Sequence, residues 1–278
     1  MMHAFLPTSS VERAWNTRRM SSRNRVAIVT GAAQGIGLQI ASAFAKTGAN
    51  IVLASRSADK LTAARDMVEA IGHEALAVAT DLRNDGAIRH LVERTLERFG
   101  RIDVLVNNSG IAGPTKPLWD VDVDEWDDTF AVNVRGGFLC SRAVLPPMME
   151  AKSGSIVFIG SMTGKRPLWG RTPYSASKLA LVGLVRTLAL EAGPHGIRVN
   201  LISPGPVAGE RIEAVIRNQS RVRDISVDQV RRELLRDAPL GRFVAPVDVA
   251  SAAVFLAGDE ARSITGEDLN VSGGIVMY

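Results

Sequence analysis

Tyr174 and Lys178 stand four residues apart in "PYSASK" (173–178), with small residues between them. On a helix that spacing is about one turn, so phenol and ammonium share a face roughly 6 Å apart along the axis. A free tyrosine, with a pKa of about 10, is a poor base near neutrality. Bringing it to about 7 takes roughly 4 kcal/mol of support for the phenolate. A unit charge about 4 Å away supplies a similar amount at an effective dielectric of about 20. Such a phenol can give a proton to a developing alkoxide or take one from an alcohol. The competing reading is a surface helix with a chance pairing. The chain has only one other tyrosine, the terminal Tyr278.

A second group of residues suits phosphate. "TGAAQGIG" (30–37) places Gly31, Gly35 and Gly37, with Gln34 and Ile36 among them, between an apolar run and a helical pattern. Glycines there permit a tight turn and close backbone approach to a pyrophosphate, and the following helix offers free N–H groups. The competing reading is a purely structural turn. The next apolar run ends "LASRSADK", with Ser55, Arg56 and Ser57 where an acid would bind a ribose 2′-hydroxyl. A hydroxyl and a guanidinium suit a 2′-phosphate, which favours NADP(H) over NAD(H). Alternatively, Ser57 caps the next helix and Arg56 is simply exposed.

These residues need a frame, and the hydrophobic pattern supplies one. "RVAIVT", "NIVLAS", "EALAVAT", "IDVLVNN", "GSIVFIGS", "IRVNLIS" and "DLNVSG" read as strands, with amphipathic helical patterns between them. That alternation predicts an α/β fold, a doubly wound parallel sheet of about seven strands with helices on both faces. No composition break divides residues 24–278, so one domain is expected, with ligands at the carboxyl ends of the strands. Residues 1–23 read as a disordered extension, or as a start assigned too early, with Met20 the natural beginning.

Of the 278 residues, 46% are hydrophobic and 22% charged, enough for a sizeable core. No apolar run approaches the roughly 20 residues of a membrane span. The single cysteine, Cys140, excludes an internal disulfide and fits a reducing, cytoplasmic setting, with the thiol buried. The net charge of +4 is scattered among both signs, which argues against nucleic acid. No cluster of His, Cys, Asp and Glu suggests a metal, and His195 is read as a loop residue.

Taken in order, these motifs resemble the short-chain dehydrogenase/reductase family, in its single-domain, 3-oxoacyl-reductase-like branch. The likeness covers about residues 24–278 and adds "NNSG" (107–110), Asn133 in "VNV", Ser161 in "GSM" and "SPG" with Pro204 and Gly205. It implies a Rossmann-type fold and an NADP(H)-dependent interconversion of a secondary alcohol and a ketone. Tyr174 would be the acid/base and Lys178 would lower its pKa and bind the nicotinamide ribose. Ser161 would hold the substrate oxygen, and Asn133 a water linking Lys178 to solvent. Asp81, followed by Leu82, would contact adenine, unless Asp81 is a helix cap. Asn107, Asn108, Ser109 and Gly110 would line the adenosine side. The family often has a threonine where this chain has Gly209, so carboxamide contact is expected from backbone near Val207.

Residues 206–242 form a polar insert, expected to fold as two short helices covering the site, the second starting near Ser226. Met162, Trp169, Pro206 and Ile212 are candidate walls of a substrate pocket. Arg166, Arg171 and Arg211 could meet an acidic substrate but are read as solvated surface residues. The resemblance implies a homo-oligomer, tetramer or dimer, and the apolar ending "GGIVMY" is expected to pack at or near an interface. Two other readings are a non-enzymatic cofactor-sensing or RNA-binding protein and a dehalogenase-like member without nicotinamide. The intact tetrad argues against the first, and the glycine turn and Lys178 against the second.

Overall fold

A computed structural model describes residues 25–278; the expected extension at 1–23 lies outside the described residues. Val26–Thr30 (β1) is a run of small and β-branched residues, every one buried. Such a run suits a strand covered on both faces. It is joined by Asn50–Ser55 (β2), Ala75–Ala79 (β3), Val104–Asn107 (β4), Gly154–Ile159 (β5), Ile197–Pro204 (β6) and Asp268–Val271 (β7). The seven strands form one sheet in the order β3-β2-β1-β4-β5-β6-β7, and every neighbouring pair is parallel.

The helices follow the strands: Gly35–Lys46 (α1), Ala58–Glu69 (α2), Asp85–Phe99 (α3), Val123–Phe130 (α4), Gly136–Glu150 (α5) and Thr172–Ala192 (α6). Glu210–Arg223 (α7), Val227–Leu235 (α8) and Pro246–Ala257 (α9) complete them. The two-residue period of a strand divides the core in two. Ala27 and Val29 pack with Ile40 and Phe44 of α1, Leu61 of α2 and Val249 of α9. Val26 and Ile28 face the opposite side, with Ile88 of α3, Met148 of α5 and Leu181 of α6. Each such buried side chain stabilises the fold by about 1.5–3 kcal/mol.

β1 lies third in the order, beside the central β4. The chain runs outward from it to β3, then crosses back to lay β4 on its other side. A cleft therefore opens at the carboxyl ends of β1 and β4, where the winding reverses. Two further features border it. A single turn of π-helix, Ala131–Arg135, joins α4 to α5. Past β6, Val207 bridges Val244 in parallel, and α7 and α8 lie between these two points. Ser226 caps α8, accepting a hydrogen bond from the Gln229 N–H at 3.1 Å.

Candidate active site

At the turn after β1, Gly31 and Gly35 adopt φ of +66° and +57°, the left-handed region that glycine enters without strain. Gly37 is required for a different reason. A Cβ there would lie 2.2 Å from the Gly31 carbonyl oxygen, so only a bare backbone lets α1 pack this close. The ends of β1 and β4 are tied together by Thr30, which sequence reading had passed over. Its Oγ1 accepts from the Asn108 and Ser109 N–H groups, both at 3.0 Å. The Asn108 side chain in turn donates to the Thr30 carbonyl at 2.9 Å. The first turn of α1 holds no acid, and Gln34 makes no side-chain cap, so the positive end of the helix is uncompensated. A cradle of this kind fits a pyrophosphate.

The cleft has a volume of about 1140 Å³. One end is lined by Ser55, Arg56, Ser57, Lys60, Asp81, Leu82 and Arg83. Ser57 occupies the N-cap of α2, yet its hydroxyl makes no capping bond. Arg56 is exposed and forms no ion pair among the described residues. Asp81 is not a helix cap: Asn84 caps α3, accepting from the Ala87 N–H at 3.2 Å. Asp81 accepts instead from the Arg83 N–H at 3.0 Å and its guanidinium at 3.3 Å. Burial pushes the Asp81 carboxyl up, but Arg83, with a smaller contribution from Arg56, leaves it below its ordinary value. Asn107 departs from its expected place. It is buried beneath the cleft and donates to Ser141 Oγ at 3.1 Å, because the alternation along β4 turns it into the helical layer.

The other end holds the candidate chemistry. Pro173 starts α6, and Tyr174 and Lys178 follow on one face. Lys178 is 4% exposed and donates to the Ile159 carbonyl at the end of β5, at 2.8 Å. Burial lowers its pKa, and Tyr174 opposes that. Asn133, on the π-turn, exchanges hydrogen bonds with Ile111 at 2.8 and 3.1 Å and donates to Ser177 Oγ at 3.0 Å. Gly110 fits beside both, since a Cβ on it would lie 3.1 Å from Asn133 Oδ1 and 3.4 Å from Lys178 Nζ. Ser161 follows β5; its hydroxyl accepts from the Thr163 N–H at 3.1 Å and hydrogen-bonds Thr163 Oγ1, also at 3.1 Å.

Two arginines complete the surroundings of Tyr174; Arg171 is buried, which corrects its reading as a solvated surface residue, whereas Arg211 is exposed as expected but lies against the same ring. Arg171 is 3% exposed, and its guanidinium carbon stands 4.8 Å from the centre of the Tyr174 ring. Arg211, in the first turn of α7, reaches across the cleft to within 5.7 Å of the same ring. It donates to the Gly110 carbonyl at 3.0 Å. Lys178 Nζ is 5.8 Å from the ring centre. Burial would raise the phenol's pKa. Arg211, then Lys178, the neighbouring Ser161 hydroxyl and Arg171 overcome it and bring the phenol down to about 8. The expectation that one lysine supplies most of the shift is thus replaced by a shared effect. A periodic pattern within α6 can reveal Lys178 but not Arg211, which arrives from another element.

Met162, Trp169, Pro206 and Ile212 all line the cleft. Arg166 lines it too but is neutralised by Asp237. Gly209 adopts φ of +138°, where an L-residue is strained, which explains why a threonine does not fit. The bridge to Val244 uses the Pro206 carbonyl and the Ala208 N–H, both at 2.9 Å, leaving Val207's own backbone groups turned away from Val244. Cys140 is buried and its thiol is pushed up to about 12, which removes it as a nucleophile. Among the described residues there is no group that could hold a metal and no helix long and apolar enough to cross a membrane.

With this geometry in place, the comparisons are consistent with one another. Residues 31–276 match the family model described as enoyl-(acyl carrier protein) reductase. The chain is 39% identical over 265 residues to BbsD of Thauera aromatica, a dehydrogenase subunit named for (2S)-((R)-hydroxy(phenyl)methyl)succinyl-CoA. That match covers 93% of this chain and 99% of the relative. It is 33% identical to FabG of Staphylococcus epidermidis, a 3-oxoacyl-(acyl-carrier-protein) reductase, covering 91% and 100% respectively. Among solved structures, an NAD+-bound xylitol dehydrogenase superposes with a TM-score of 0.88 at 31% identity, over 91% of this chain and 99% of that one.

Proposed function

The chain belongs to the short-chain dehydrogenase/reductase family, oxidoreductases of alcohol and ketone groups, and from that premise we propose an NADP(H)-dependent interconversion of a secondary alcohol and a ketone with Tyr174 as general acid/base. The observation that carries this reading is the setting of Tyr174: it lines the cleft together with Ser161, and Arg171, Lys178 and Arg211 surround its ring and bring the phenol to about 8.

A nicotinamide bound at this end of the cleft supplies the hydride for reduction, or accepts it in oxidation. The chain's residues handle the proton and the positions. Ser161 holds the substrate oxygen against the Tyr174 hydroxyl. Below pH 8 that hydroxyl carries its proton and can donate it to the developing alkoxide. Above pH 8 the phenolate can take the alcohol's proton. Lys178, fixed by the Ile159 carbonyl, stabilises the phenolate and would hold the nicotinamide ribose. Asn133 braces the 108–111 segment against α6; with its side chain committed to Ile111 and Ser177, a water at this residue would sit on its backbone. The first turn of α1 would hold the pyrophosphate, and Asp81 the adenine amine. Backbone near Val207 would meet the carboxamide.

The preference for NADP(H) is supported by the absence of an acid at the end of β2. Ser55, the unpaired Arg56 and the uncommitted Ser57 hydroxyl face the cleft where a 2′-phosphate would sit. The segment carrying α7 and α8 would serve as a cover that excludes water and shapes the substrate pocket.

The test is nicotinamide absorbance over time, with NADPH and NADH in parallel, across a panel of ketones, against Tyr174→Phe. Turnover with NADPH should fall by about two to four orders of magnitude in the variant, the scale of acid/base catalysis. An undiminished rate in Tyr174→Phe would overturn the assignment, and equal rates with NADH would overturn the cofactor preference.

A further inference from the structure

Several cations along the cleft are paired with carboxylates, whereas the exposed Arg56 and Lys60 at the adenosine end and the group around Tyr174 form no ion pair among the described residues. Arg166 is paired with Asp237, Arg223 with Glu233, and Arg83 with both Asp81 and Asp128. Arg171, Lys178 and Arg211 surround one ring, and none of the three pairs with a carboxylate among the described residues. The nearest pocket-lining acid in sequence, Glu210, makes no ion pair with them.

Arg171 also occupies an unusual place. It is the N-cap of the 21-residue helix α6, where an oxygen-bearing side chain normally accepts from free N–H groups, and it makes no capping bond. A cation there opposes the helix dipole. Only one of its nitrogens is satisfied, donating to the Ala112 carbonyl at 2.8 Å; Nε and Nη1 are buried without partners. A buried guanidinium with two orphaned nitrogens and no counter-ion is costly. A sequence that breaks a capping rule and a charge rule at one residue beside the reacting group marks a functional constraint.

Arg211 supplies the accessible part. It is exposed to the cleft and uses one nitrogen on Gly110, so the rest of its guanidinium fork is open. A guanidinium fork matches a carboxylate bidentately. The phenolate can balance one of the three charges, and an oxidised nicotinamide would add another positive one.

We propose that the missing negative charge belongs to the substrate: this site selects hydroxy and oxo acids, whose carboxylate docks on Arg211 with Arg171 behind it. The carboxylate lies a few bonds from the reacting carbon, because both cations flank the ring of the residue that handles the proton. This rests on the alcohol–ketone reading above and narrows its substrate class.

The experiment compares, with the full chain and saturating NADPH, short oxo acids and their methyl esters. The acids should be favoured in kcat/KM by about tenfold or more, the scale of a charge-assisted bidentate contact. In Arg211→Met the acid-to-ester ratio should fall towards one through a rise in KM for the acid, and Arg211→Lys should restore part of it. Esters turned over as well as acids by the unmodified protein would overturn the proposal. So would an Arg211→Met variant that keeps the full ratio. A second measurement does not need turnover or a variant. Calorimetric titration of the NADPH-loaded protein should show succinate binding more tightly than succinamide; equal binding would overturn the proposal. Failure to reduce any ketone, with succinate still preferred, would instead count against the alcohol–ketone reading and leave the anion site standing.

Discussion

The two ends of the cleft both carry positive charge, but they hold it differently. At the adenosine end Arg56 is exposed, and Arg83 is shared between Asp81 and Asp128. At the reacting end Arg171 and Lys178 are almost fully buried, and neither pairs with a carboxylate among the described residues. Water and salt screen the first set, so it can choose between ligands but cannot change the chemistry of a neighbour much. The second set acts through a low dielectric, where one unit charge at a few ångströms moves a pKa appreciably. Under the proposed function, one end would select the cofactor and the other would set the strength of the acid.

The strongest challenge to this contrast is Lys178→Met. Loss of the cation should reduce turnover by about two to four orders of magnitude. It should also shift the pH dependence in a defined direction. Removing positive charge destabilises the phenolate, so the Tyr174 pKa must rise from about 8. The alkaline rise of the oxidation rate then moves to higher pH, and reduction persists further into alkali. A midpoint that stays near 8 in a pH–rate profile would mean the buried cation does not set the acid.

Next in size is Ser55→Asp. An acid at the end of β2 would accept from a ribose 2′-hydroxyl and repel a 2′-phosphate. The ratio of kcat/KM for NADPH over NADH should fall by about one to two orders of magnitude, while the Tyr174 pH midpoint stays in place. A shifted midpoint would show that the two ends are not electrically separate.

The smallest effect sharpens the same comparison without mutation. Raising salt from about 0.05 to 0.5 M shortens the screening length from over 10 Å to a few ångströms. NADPH should bind a few-fold more weakly by fluorescence titration, and the pH midpoint of turnover should hold. An unaffected affinity would mean Arg56 does not meet the 2′-phosphate.

Much of this was legible in the residues. The seven apolar runs became seven strands, because a parallel strand buried on both faces must be apolar along its whole length. The glycine turn followed from spacing alone, as did the Tyr174–Lys178 pair, since both depend on residues close in sequence. Arg171 was visible three residues before Tyr174, but a lone arginine in a loop reads as surface until packing buries it. Thr30 drew no reading and Asn107 was set on the adenosine side for a related reason: their roles depend on which strand lies alongside and which way the pleat turns them.

By itself the sequence determined the local geometry: the strand and helix periods, the turn that only glycine can make, and a phenol and an amine on one helical face. These are consequences of short-range sterics and periodicity, which a linear pattern records. Only the tertiary structure decided which charges are buried and which distant groups meet. Arg211 approaches Tyr174 from another helix, and Thr30 ties β1 to β4 through contacts 78 and 79 residues apart. Burial and long-range approach depend on the packing of the described chain, and they are what set the charges around Tyr174 and bring its phenol down to about 8.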